Sequence, residues 1–247
     1  MNLLRILKQN YVNQLYYLAR LKKQQWLKEE ELIKIQEKKI IALINHAYQN
    51  VPFYRDIFES VEIKPKDFTS LADLQKIPIL TKEHIKKNYP DRIVANEVGL
   101  KNCVIKSTTG STGKPLKVAY SKKMQSYVRS VSFFVFLEFG LRLRDKLVRI
   151  CDIRSQYVPF PSYLKNKGIL AWEYLSIFDP VKSILKSLKD IKPAVIFTYP
   201  SMLLLLSNEI EEQNISGINP RLIFTSGETL SNSGRKKIRT IFNCDVY

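Results

Sequence analysis

Three stretches, "KPAVIFTYP" (192–200), "SMLLLLSNEIEEQN" (201–214) and "PRLIFTSGETLS" (220–231), follow one another almost without a break. The first and third are short apolar runs bounded by proline and by Ser/Gly turns, the pattern of buried strands. The second is a leucine-rich run with a polar tail, long enough for a helix to carry the chain back across a sheet. Strand, helix and strand at this spacing predict a parallel pair with a crossover helix. The alternation extends both ways. "DKLVRICDI" (145–153) reads as a core strand, "FDPVKSILKSLKDI" (178–191) as the next helix, and "SGRKKIRTIFNCDVY" (233–247) as the start of a further helix and strand. The expected class is α/β, a parallel sheet with crossover helices. In such sheets ligands bind beyond the carboxyl ends of the strands. "TYPS" (198–201) and "TSGE" (225–228) lie at two of those ends, and Glu228 there either contacts a ligand or caps the next helix.

Upstream, "STTGSTGKP" (107–115) packs two glycines, five hydroxyl side chains, a lysine and a proline into nine positions. Glycines let a loop curl until several N–H groups converge, the hydroxyls add donors and Lys114 adds charge, a set suited to a polyphosphate. The same composition also suits an ordinary connecting loop. The spacing excludes a Walker A motif, because two residues separate Gly110 from Gly113 where four are needed, and Pro115 follows the lysine. "NCVIK" (102–106) and "LKVAYS" (116–121) alternate polar and apolar residues, so the loop is expected at the tip of a hairpin.

At 247 residues and 45% apolar content the chain can bury a sizeable core as one large or two small domains. The longest leucine run is four residues, 203–206, against the roughly 20 apolar residues of a membrane span. The first residues lack the pattern of a signal peptide, so the chain is read as cytoplasmic. Cys103, Cys151 and Cys244 are odd in number and widely spaced, which implies neither a disulfide framework nor a metal site. The net charge of +17 peaks in residues 101–150, where 11 Lys and Arg meet two Asp and Glu. A basic field there attracts nucleotide phosphate, and equally nucleic acid or anionic lipid.

Residues 2–23 place Leu4, Leu7, Tyr11, Leu15 and Leu18 on one helical stripe beside Arg5, Lys8, Arg20, Lys22 and Lys23. Such a helix packs on its own domain or lies on a membrane surface. A second helix from about Lys28 to Gln49 presents Ile33, Ile40, Leu43, Ile44 and Ala47, with His46 a packing or capping residue near its end. Pro52 breaks it, and Thr81 caps a later one. "SKKMQSYVRSVSFFVFLEFG" (121–140) reads as a buried helix from Ser121 to Gly140.

Taken together, "TTGSTGKP", "HAYQNVPFYRDIF", "IPILTKEHIKKN", "TYPSMLLLL" and "TSGETLS" resemble the AMP-forming acyl-CoA ligase superfamily, in its phenylacetate–CoA ligase and CapK-like branch. The resemblance runs from about residue 25 onward. It implies that Thr108, Thr109, Gly110, Ser111, Thr112, Gly113 and Lys114 contact ATP phosphates and that Gly227 and Glu228 lie at the nucleotide base. It also implies that Tyr199, Pro200 and Ser201 border the pocket for a small carboxylic acid. The implied reaction joins that acid to AMP and passes the acyl group to a thiol, typically of coenzyme A. Magnesium is implied too, but the family's Tyr-Gly-x-Thr-Glu segment, its ribose-binding aspartate and its C-terminal lid with the catalytic lysine are expected beyond Tyr247. No catalytic residue or metal ligand is therefore identified. The expected organisation is a helical segment over 1–50 and an incomplete adenylate-forming domain over 51–247, with a C-terminal fragment as a partner. A second reading is a non-catalytic homologue that binds nucleotide, or a membrane surface through residues 1–24, in polysaccharide biosynthesis. Nucleic-acid binding ranks third because no recognised module accompanies the charge. The acid, the acceptor and the oligomeric state stay open.

Overall fold

The computed structural model describes residues 3–97, 99–107, 115–153 and 165–247. They fall into two compact units, Met1–Phe134 and Val135–Tyr247.

The second unit carries the sheet. Its strands are β3 (Lys146–Cys151), β4 (Ala171–Ser176), β5 (Val195–Thr198), β6 (Leu222–Thr225) and β7 (Asp245–Val246), in the order β4-β3-β5-β6-β7, and every pair is parallel. The expected strand–helix alternation is thus present. The chain steps from β3 outward to β4, then returns past β3 to β5, so the direction of winding reverses between β3 and β5. Thr198 Oγ1 donates to the Ile150 carbonyl across that junction at 2.9 Å while fully buried.

Three helices, α6 (Val181–Ile191), α7 (Pro200–Glu212) and α8 (Asn232–Phe242), share one core with Val148, Ile150, Ile196, Ile223 and Val246 of the sheet. α6 shows why the segment is a helix. Ile184, Leu185 and Leu188 recur at helical spacing and are buried, while Lys182, Lys186 and Lys189 take the opposite face. It stops at Lys192, whose left-handed φ of 50° ends the turn. In α7, Leu203 and Leu206 are fully buried, each worth roughly 1.5–3 kcal/mol of transfer free energy. Strand alternation turns Leu147, Arg149, Phe197 and Phe224 to the other face. There Phe136 meets Trp172, Phe197 and Phe224 with ring centroids at 5.8, 5.2 and 4.6 Å. At the other edge of the unit, Asp145 is buried and accepts from the Arg142 amide at 2.6 Å and from the Arg221 guanidinium, tying the turn before β3 to the start of β6.

The first unit holds α1 (Leu3–Gln24), α2 (Glu29–Asn50), α3 (Pro52–Ser60), α4 (Lys82–Asn88) and an antiparallel hairpin of β1 (Cys103–Ser107) and β2 (Lys117–Ser121). Ile44, Phe58 and Phe68 form its small core. Pro52 both ends α2 and opens α3, where its missing N–H costs nothing. Thr81 caps α4 by accepting from the His84 amide at 3.3 Å, and His46 is an exposed partner of Asn50 at 3.1 Å. Leu43 and Ile33 differ from expectation. They are 59% and 38% exposed, because α2 buries only the stripe centred on Ile40, Ile44 and Ala47.

α5 (Lys122–Glu138) starts at Ser121, which accepts from the Met124 amide at 3.2 Å, and is followed by Gly140 at φ +95°. The expectation that it is buried fails for much of its length. Its buried residues are Ser126, Ser130 and Phe136, whereas Tyr127, Val128 and Val135 are exposed. Ser130 faces α1, whose backbone approaches closely enough for Ser130 Oγ to donate to the Gln14 carbonyl at 3.1 Å.

Candidate functional site at the strand ends

β5 and β6 pair in register up to Thr198 and Thr225, so the residues that follow them emerge side by side at the carboxyl edge of the sheet. Tyr199, Pro200 and Ser201 follow β5, and Ser226, Gly227 and Glu228 follow β6. The Ser226 amide reaches back to the Thr198 carbonyl at 3.3 Å.

Two contacts lock these stretches together. Glu228 places one carboxylate oxygen 2.9 Å from the Ser201 amide and the other 2.8 Å from Ser201 Oγ. Ser201 lies in the first turn of α7, after Tyr199 at the N-cap and Pro200 at the first helical position. Its amide is one of the donors that a helix leaves without an internal partner, and a carboxylate there also meets the positive end of the helix dipole. Glu228 therefore caps the helix before it, not the one after it. Gly227 makes the second contact. Its φ of +85° is a conformation side chains rarely adopt, and an added Cβ would lie 2.9 Å from Tyr199 Cε1. The Tyr199 ring thus rests on a bare backbone, and glycine is required for both angle and space.

The structure accordingly brings five of the expected site residues, Tyr199, Pro200, Ser201, Gly227 and Glu228, to one edge. Thr108, Thr109, Gly110, Ser111, Thr112, Gly113 and Lys114 lie outside the described residues. Their flanks are described: β1 and β2 pair from Cys103↔Ser121 to Ser107↔Lys117, the hairpin expected around this loop. Lys106 Nζ stands 5.3 Å from the Tyr120 ring centroid on that stem. Among the described residues no group of three His, Cys, Asp or Glu could hold a metal ion, and Glu228 is already engaged with Ser201. No helix among them is long and apolar enough to cross a membrane.

No family model matches the chain. It is 38% identical over 229 residues to the phenylacetate–coenzyme A ligase of Escherichia coli K12, a match covering 88% of this chain and 51% of that one. It is 25% identical over 230 residues to protein CapK of Staphylococcus aureus, covering 87% of this chain and 49% of that one. Among solved structures, 2-hydroxyisobutyryl-CoA ligase with 2-HIB-AMP and CoA bound superposes with a TM-score of 0.73 at 17% identity, over 89% of this chain and 50% of the other. The fold is that of the AMP-forming acyl-CoA ligase superfamily, and the chain belongs to it. Within that superfamily its relatives are the phenylacetate–CoA ligases and CapK. The chain spans about half the length of these relatives.

Proposed function

We propose that the chain is the nucleotide-binding portion of a ligase that activates a carboxylic acid as an acyl adenylate and passes it on, typically to coenzyme A. The observation that supports this reading is the lock between Tyr199–Ser201 and Gly227–Glu228, the two segments that the resemblance assigns to the acid and to the nucleotide, at adjacent strand ends. ATP supplies the leaving pyrophosphate that makes acid activation favourable. The chain's part is to hold and orient. The bare turn at Gly227 offers exposed backbone to a flat base, Tyr199 walls it, and the hydroxyl- and glycine-rich segment 108–114 supplies N–H donors and the Lys114 charge to phosphates. The 1–50 and 51–247 organisation, with lid functions supplied by a further C-terminal part, belongs to this proposal.

Calorimetric titration tests it. Lys114→Ala should weaken ATP by roughly 1.5–3 kcal/mol and AMP by much less, because the lysine serves the outer phosphates. Equal loss for both nucleotides, or no ATP binding by the parent chain, contradicts it.

A second reading has its own observation. α1 contains five Lys and Arg and no acidic residue, yet leaves Val12, Leu15 and Tyr16 at 62%, 67% and 60% exposure. That combination suits a peripheral contact with anionic lipid. Leu15→Asp should lower co-sedimentation with phosphatidylserine vesicles without changing the melting temperature. Unchanged co-sedimentation removes this reading.

A further inference from the structure

The last helix of the second unit is basic along its outer face. Over Asn232–Phe242, α8 carries Arg235, Lys236, Lys237 and Arg239 and no acidic residue. Gly234, Ile238 and Phe242 turn inward and are buried, so helical spacing sends Asn232, Arg235, Lys236, Arg239 and Thr240 to the opposite side. These five line a groove of about 370 Å³. The neighbouring strand β7 fixes one of its walls. The Arg235 guanidinium donates to the Val246 carbonyl, and the Arg239 guanidinium lies 2.9 Å from an Asp245 carboxylate oxygen. Each contact uses only part of a guanidinium's five-donor fork, so further N–H groups remain for a partner. Arg235 meets a neutral carbonyl there and keeps its full charge. Side chains already held in place also lose less entropy when a partner arrives.

Shape and charge select the occupant. The five lining residues come from one helix, so the groove is shallow and a small anion in it would keep most of its water, unlike a ligand enclosed in an ordinary pocket. A second backbone laid along α8 covers it. From Asn232 to Thr240 the groove runs about 12 Å at 1.5 Å per residue, the length of two turns of a facing helix. Acidic residues at i and i+4 of such a helix stand about 6 Å apart, the same spacing as Arg235 and Arg239 one turn apart. All five lining residues are polar, which gives acyl chains nothing to enter. The rim carries both signs. Asp245 stands beside Arg239 on one flank, and Glu211, 2.8 Å from Lys237, on the other. Carboxylates flanking a basic stripe repel a phosphodiester backbone, whereas a folded partner with basic residues beside its acidic stripe answers both.

We infer that the outer face of α8, anchored by Arg235, Lys236 and Arg239, is a docking surface for an acidic helix of a partner protein. The inference does not depend on the nucleotide reading, which uses none of these residues.

The probe is a fluorescent alanine-based helix of about 16 residues with Glu at i and i+4, long enough to hold its fold. Its Glu→Gln counterpart, a short duplex DNA and phosphatidylserine vesicles are the comparisons, each titrated into the full 247-residue chain. The Glu helix should bind about tenfold tighter than the Gln helix. A chain with a net charge of +17 attracts polyanions everywhere, so the site is read from two triple variants. Arg235→Gln with Lys236→Gln and Arg239→Gln should weaken the Glu helix about tenfold, whereas Lys182→Gln with Lys186→Gln and Lys189→Gln, which removes the same charge from α6, should change it by less than about twofold. Equal affinity for the two helices, equal losses in the two variants, or tighter binding of DNA or vesicles that the α8 variant abolishes would each overturn the inference. A photoreactive group on the Glu helix decides the matter on the parent chain even if a variant fails to fold: cross-links within α8 and β7 support the surface, and cross-links elsewhere overturn it.

Discussion

Gly227 and Glu228 show how one turn serves both fold and site. Glycine at 227 has two independent causes, a φ of +85° and a tyrosine ring where a side chain would go. Gly227→Ala should therefore cost about 1–3 kcal/mol of stability from backbone strain, read as a lower denaturation midpoint, and push Tyr199 aside. A variant as stable as the parent would show that the turn relaxes freely. Glu228 was legible in the sequence as a strand-end carboxylate, but its partner was not, since Ser201 lies 27 positions away and meets it only through strand pairing. Ser201→Ala and Glu228→Gln both disturb the hydrogen bond from Ser201 Oγ to Glu228, so their effects on stability should be less than additive, whereas independent effects would sum.

The elements that the sequence revealed are those with strong local signals. β5, α7 and β6 announce themselves through apolar runs and proline, and Ser121 and Thr81 through cap chemistry. β4 escaped because all six of its residues are half-buried, which leaves no period of two to read. α5 is buried at Ser126, Ser130 and Phe136 and not along its aromatic run, so aromatic content is no measure of its burial. Packing also predicts chemistry. Cys244, near the end of α8, is pushed by burial from 9.0 to about 11, with Asp245 adding to the shift. A thiol whose pKa is raised by folding stabilises the native state below the unfolded value and loses that contribution as pH climbs through the folded one. The melting temperature should fall between about pH 9 and 11, less steeply in Cys244→Ala. Equal slopes would show that the thiol does not report on the fold.

At the scale of the molecule, the parallel sheet, its three-helix core and the strand-end segments were all implied by the order of short motifs. Which residues of 108–114 meet phosphate was implied by resemblance alone. The chain spans about half of its relatives' length, and the chemistry of a ligase multiplies several contributions at one transition state.

The central claim, that the ends of β5 and β6 form a nucleotide site, is met most directly by calorimetric titration of AMP into the parent chain and into Gly227→Ala. The account predicts saturable one-to-one binding that weakens at least tenfold in the variant. No binding by the folded parent, or equal affinity in the two, would contradict it.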